Sequence, residues 1–173
     1  MTLTDDLRFP PALAAVANVV FDYDNGDGVD YEPYGEFLSE QETTSWLRAW
    51  TGNSELTGEA FRVFGQDGTG GYVALWLVQP NQPLNDQPVV FLGSEGELGV
   101  IARDLADYLW LLADGFGPHE AVDSPARAAR PNPQLTAIAE RFAPGRQKPA
   151  TTVISAAAQE FSDFEQIITA LCR

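Results

Sequence analysis

The chain has 173 residues, 45% hydrophobic and 11% aromatic, which suits one globular domain with a sizeable core. Its charge is lopsided: 25 Asp and Glu against 10 Lys and Arg leave a formal −15 at pH 7. Nucleic-acid phosphates and anionic membrane surfaces would repel such a chain, so neither is expected as a partner, and a basic protein surface is favoured instead.

Cysteine and histidine are nearly absent. Cys172 alone cannot close an internal disulfide, and with His119 the only histidine a zinc site lacks its ligands. The opening stretch, MTLTDDLRFPP, is acidic and then proline-rich, unlike a secretory leader. No apolar run reaches the ~20 residues a membrane helix needs. The expectation is a cytoplasmic protein with no cofactor.

In chain order, Pro10 and Pro11 suit a helix start, and Leu13, Val16, Ala17 and Val20 fall on one helical face. The stretch DYDNGDGVDYEPYGEF follows, with Asp22, Asp24, Asp27, Asp30 and Glu32 interleaved with Gly26 and Gly28. A calcium loop is the sharp reading, but its register fails. Placing Gly28 at the sixth loop position puts Tyr23 first and Tyr34 twelfth, where carboxylate ligands belong. An acidic, turn-rich surface loop is predicted instead.

Ser39 and Glu42 form a capping-box pattern opening a helix to about Trp50. Trp46 and Trp50 share one face of it, a spacing that favours core packing over an aromatic ligand cage. Four apolar runs bounded by turn residues then read as strands: Phe61–Phe64, Tyr72–Val78, Val89–Leu92 and Leu98–Ile101. The GQDGTGG segment between the first two lacks the lysine and following helix of a phosphate loop, so it is a glycine hairpin turn carrying Asp67. QPNQPLNDQP is a proline-rich surface connection. Gly93-Ser94-Glu95-Gly96 is another turn; Leu92 occupies the position a nucleophile elbow reserves for glycine. Glu95 and Glu97 stand there as solvated turn charges rather than a glycosidase pair.

Arg103 to Ala113 is a helix whose stripe Leu105, Tyr108, Leu109 and Leu112 continues from Ile101 at the end of the preceding strand. Trp110 and Leu111 lie off that stripe, so a second layer must cover them, with the C-terminal third the candidate. That third begins as a proline-punctuated connector, Gly115 to Pro133, with His119 in a loop. A helix over Gln134–Phe142, a short strand at Thr151–Ser155, and a final helix bearing Phe161, Phe164, Ile168 and Leu171 complete the prediction, the last with Ser162 and Glu165 as a second capping box. Arg141, Arg146 and Lys148 form the only local basic cluster. Strands in succession with short connections predict an antiparallel meander, with the helix after it covering one face.

The run from the GQDGTGG turn through ALWLV, PVVFLGSEGELGVIARDLADYLWLLADG resembles the SUKH superfamily of bacterial immunity proteins. The parts that carry the likeness are Gly68–Gly71, Tyr72–Val78, Val89–Leu92, Leu98–Ile101 and Leu105–Leu112, with Trp46 and Trp50 in the preceding segment. The likeness covers about 37–115 of a single domain over 1–173; 116–173 is an unmatched helical extension packing on the core. It implies an α+β fold, with a twisted, largely antiparallel sheet of about four to six strands flanked by helices, and a cytoplasmic immunity protein that neutralises a cognate toxin, a nuclease being a common kind. The family brings no catalytic residues to transfer. Against a toxin with a basic surface, an acidic inhibitor gains association rate and specificity. The residues expected to make that contact are Asp22, Asp24, Asp27, Asp30 and Glu32, with Asp67, Glu95 and Glu97 at the turns. A non-catalytic regulatory or small-ligand module on the same fold is the alternative. A hydrolase stands last, since no nucleophile, base and orienter are visible together.

Overall fold

The computed structural model describes residues 6–173. Residues 1–5, read above as part of an acidic start without a leader, lie outside the described residues. The protein is α+β, a five-stranded open sheet in which every neighbouring pair is antiparallel and the strand order follows the sequence. The strands are β1 (Glu32–Pro33), β2 (Phe61–Gln66), β3 (Tyr72–Trp76), β4 (Val89–Leu92) and β5 (Leu98–Ala102). The helices are α1 (Pro11–Val16), α2 (Glu40–Thr51), α3 (Leu105–Ala113), α4 (Pro118–Asp123), α5 (Pro133–Phe142), α6 (Ala150–Glu160) and α7 (Phe164–Leu171).

Alternation along the strands sorts side chains onto two faces. Val73 and Leu75 of β3, with Val89, Phe91 and Ile101, enter one apolar cluster with α1, α3 and α5. Ala74 and Trp76, with Val90, Leu92 and Val100, enter a second cluster with Leu47 of α2 and Phe164 and Ile168 of α7. Both faces are therefore covered, which is why β3 and β4 read as nearly unbroken apolar runs. Helix α6 gives Ala150 and Val153 to the first cluster and Ala157 to the second, so it runs along β5 and closes the sheet there. At the opposite edge, Tyr34 and Leu38 donate backbone hydrogen bonds to the carbonyls of Phe64 and Val63, extending the cover that the two-residue β1 begins.

Caps explain where several helices start. Ser39 and Glu42 form the predicted capping box of α2: the Ser39 hydroxyl accepts the Glu42 N–H, and the Glu42 carboxylate accepts the Ser39 N–H. Asp104 accepts the Asp107 N–H at the start of α3. Trp110 is buried as expected, and its indole N–H donates to the Ala143 carbonyl at 2.9 Å, between α5 and α6.

Four expectations are corrected. The first helix ends at Val16, so Val19 is buried and Val20 is 89% exposed. The connector after Gly115 contains α4, which places His119 on a helix; Pro118 takes the first helical position and Glu120 accepts the Gly117 N–H. Thr151–Ser155 is helical, because Ala150, Val153 and Ala157 continue a helical period against β5 and outweigh the local β-branched preference. The Ser162–Glu165 box is not formed: Asp163 is the cap residue of α7 and makes no side-chain cap bond. Helix α7 docks through Phe164, whose ring lies 4.9 Å from Trp76.

Candidate partner-binding rim

The residues singled out for partner contact lie far apart in sequence, yet they gather at one end of the sheet. Register places them there: Glu32 pairs with Gln66 at the end of β2, and Tyr72 pairs with Leu92, so the β2–β3 and β4–β5 turns sit side by side. Two bonds lock the turns to their neighbours. The Asp30 carboxylate accepts the Gly68 N–H at 2.8 Å, and the Ser94 hydroxyl donates to Thr69 Oγ1 at 2.9 Å. Loop 22–30, turn 67–71 and turn 93–97 thus form one continuous rim.

The acidic loop is tightly built. The Tyr23 carbonyl accepts the N–H groups of Gly26 and Gly28, and the Asp22 carbonyl accepts that of Val29. Asp24 and Asn25 adopt left-handed backbone, with φ of 46° and 52°, an excursion that Asp and Asn tolerate better than most residues. A side chain at Gly28 would strike the Asp22 carbonyl, so glycine is required. Arg127 anchors the loop from below through the carbonyls of Gly28 and Asp27, at 2.9 and 2.7 Å, and Arg130 pairs with Asp24 at 2.9 Å. The backbone is satisfied toward the protein while Asp22, Asp24 and Asp27 face solvent.

The other predicted residues divide by environment. Glu32 is exposed and accepts from Gln66 Nε2, Glu95 is exposed, and Glu97 is half-buried and accepts the Glu95 N–H. Asp30 is half-buried. Asp67 is different, being only 2% exposed. Its Oδ1 accepts from Thr69 N–H, Thr69 hydroxyl and Gly71 N–H, so it shapes the hairpin turn from within. Its Oδ2 sits 3.2 Å from His119 Nδ1 without a well-formed hydrogen bond among the described residues. On the other side of the imidazole, Nε2 is 3.9 Å from the Asp123 carboxylate. Such an Asp–His pair could orient a base, but the group met on the far nitrogen is a second carboxylate rather than a hydroxyl or thiol. Among the described residues no group of three or more His, Cys, Asp or Glu is placed to hold a metal ion. No described helix is long and apolar enough to cross a membrane.

Sequence reasoning missed two features. Val20 and Tyr23, the latter 59% exposed, are the two most exposed large hydrophobic side chains among the described residues; Val20 precedes the acidic loop and Tyr23 lies within it. Amphipathic spacing had placed Val20 inside. A groove of ≈ 280 Å³ opens beside them, with Phe21, Val29, Leu112 and Leu135 among its lining and Asp22, Asp24 and Arg130 at its polar positions.

Glu120 ties the rim to α4. One carboxylate oxygen accepts the Gly117 N–H and the other the Asp30 N–H, each at 3.1 Å. Burial pushes the Glu120 pKa above its ordinary value, against the lowering effect of the Asp30 N–H and the His119 charge. A raised native pKa means that folding favours the protonated form. The resulting stability is fully present below the ordinary value of 4.5 and is lost as pH rises through the native value. Glu120→Gln should cost about 1–2 kcal/mol, since an amide accepts only one of the two N–H groups well. It should also remove this decline with pH, as urea titrations across the acidic range would read. An unchanged pH profile in the variant would refute the assignment.

Comparison with protein-family models, curated proteins and solved structures yields no match to this chain.

Proposed function

We propose that this protein is an immunity protein of the SUKH kind, which binds a toxin bearing a basic surface and neutralises it by occlusion. The observation that carries this reading is the continuous acidic rim, assembled from three separate turns and held rigid by Arg127, Arg130 and Glu120. A preorganised loop loses little conformational entropy on binding. Exposed carboxylates steer a basic partner, while Tyr23 and Val20 supply the apolar anchor that charge alone lacks. The toxin's active surface, if it binds nucleic acid, is basic for the same electrostatic reason that this rim is acidic. No chemistry is asked of the inhibitor in this scheme; its work is to cover a site.

The direct test is co-expression with the products of adjacent reading frames, followed by growth rescue and assay of the purified toxin. Asp27 and Glu95 are the informative positions, because both are exposed and neither side chain is used to build its turn. The double variant Asp27→Lys, Glu95→Lys should associate on the order of tenfold more slowly at low salt, and added salt should slow the wild type. Stable folding with unchanged association would remove the rim from the interface. Failure of every neighbouring product to be bound or inhibited would count against the immunity reading itself.

A further inference from the structure

A groove lies between loop 20–29 and the chain that enters α5, and both of its walls are fixed. On one side the Asp22 carbonyl accepts the Val29 N–H at 2.9 Å, and Arg127 holds the Gly28 carbonyl. On the other, the N–H groups of Arg130 and Asn132 donate to the carbonyls of Asp114 and Ala113 at the end of α3, at 2.8 and 2.9 Å. Gly115 makes that approach possible: its φ is 87°, and a side chain there would strike the Arg130 carbonyl. Between the walls ≈ 280 Å³ stays open. Leu112 and Leu135, 1% and 2% exposed, are its deepest lining, and Phe21 and Val29 are half-buried beside them.

The charges at this groove do not balance. Arg130 and Asp24 cancel as a pair, 2.9 Å apart and each about half exposed. Asp22 is exposed, and its Oδ1 accepts the Asp24 N–H at 2.9 Å. No cation among the described residues pairs with it. An apolar floor therefore meets one uncompensated carboxylate at its edge.

We propose that the groove receives a lysine side chain of a basic protein partner, with its methylene stem against Leu112, Leu135 and Val29 and its ammonium at Asp22. The proposal rests on the reading of the partner as basic and names the place where one of its cations is held. Lysine buries its stem and keeps its charged head in water, the same division that this lining offers. Leucine or phenylalanine would fill the space, yet would bring the partner's surface over Asp22 with nothing to neutralise it. An acidic side chain is repelled by Asp22 and by the −15 of the whole chain. Since both walls stand before binding, little ordering is asked of the protein.

The probes are three blocked Gly-Xaa-Gly peptides. Xaa is lysine, norleucine (the stem without the charge) or 2,4-diaminobutyrate (the charge on a stem two methylenes shorter). Titrated into the full chain at about 0.15 M salt, the lysine peptide should move the methyl resonances of Val29, Leu112 and Leu135 saturably, with a Kd on the order of millimolar. It should bind about threefold more tightly than norleucine, the scale of one exposed ion pair. Against diaminobutyrate the margin should be about fivefold, the scale of two partly buried methylenes. Asp22→Asn keeps an oxygen for the Asp24 N–H and should erase the preference over norleucine alone.

Norleucine binding as tightly as lysine would make the groove a plain apolar socket and overturn the proposal. Diaminobutyrate matching lysine, or shifts confined to the exposed rim, would reduce the effect to diffuse attraction and overturn it too. An unchanged preference in folded Asp22→Asn has the same force; should that variant not fold, the three wild-type titrations decide. The immunity reading fails separately. A toxin inhibited equally by wild type and Asp22→Asn leaves that reading standing without the lysine site. Lysine seated in the groove, with no neighbouring toxin recognised, does the reverse.

Discussion

Trp110→Ala is expected to lower stability by about 4 kcal/mol, the range for emptying a large buried aromatic site, and the melting temperature by about 10 °C. Trp110 is 4% exposed, and it joins helix α3 to the α5–α6 connection by packing and by its bond to the Ala143 carbonyl. Truncation therefore leaves a cavity between two layers and an acceptor without its donor. Trp110→Phe separates the two effects: it fills most of the volume and should lose only about 1–2 kcal/mol, largely for the stranded carbonyl. Urea denaturation of the three proteins checks the order. A loss below about 1 kcal/mol for Trp110→Ala would show that the C-terminal helices do not depend on this contact.

Asp107→Ala should cost about 3 kcal/mol. The Asp107 side chain is fully enclosed at the start of α3, and three cations converge on it: Lys148 at 2.9 Å, Arg146 at 3.1 Å and Arg103 at 3.2 Å. Arg146 also bonds Asp104, so two members of the predicted basic cluster, Arg146 and Lys148, are engaged by these carboxylates, while the third, Arg141, is exposed and lies over the Phe142 ring. Removing the carboxylate leaves these charges facing one another. Burial alone would raise the Asp107 pKa, but the hydrogen bonds and charges of Lys148, Arg103 and Arg146 outweigh it and hold the carboxyl below its ordinary value. Stability from this group is therefore present above the unfolded value and is lost as pH falls through the native one. The difference between wild type and Asp107→Ala should shrink in acid. A difference that stays constant down to the pH of acid unfolding would show that the cost is steric rather than ionic.

Most of the sheet was legible because its strands are β-branched and aromatic runs between glycine and proline, a local signal that long-range packing here reinforces. The girth of α3 also foretold that Trp110 needed a second layer. Helix α6 was hidden for a definite reason. Thr151 to Ser155 favours extended backbone locally, and only the spacing of Ala150, Val153 and Ala157, small residues that let α6 approach β5, argues for a helix. Helix α4, six residues among prolines, was too short for periodicity to register. At the rim, composition located the carboxylates but not their meeting. That depends on side chain–backbone and hydroxyl bonds, Asp30 to Gly68 and Ser94 to Thr69, which no local pattern announces. The inward turn of Asp67 follows from the glycines after it, whose tight turn leaves N–H groups in need of an acceptor.

The closure of both sheet margins has a consequence for recognition. With α6 lying along β5, and residues 32–38 bonded to β2, no long strand among the described residues offers a free ladder that an incoming peptide could extend. The partner proposed above would then be met through side chains projecting from turns and helix surfaces, positions where substitution leaves the backbone scaffold intact. On the proposed reading, such a surface could be retuned to a different partner, residue by residue, without renegotiating how the protein folds.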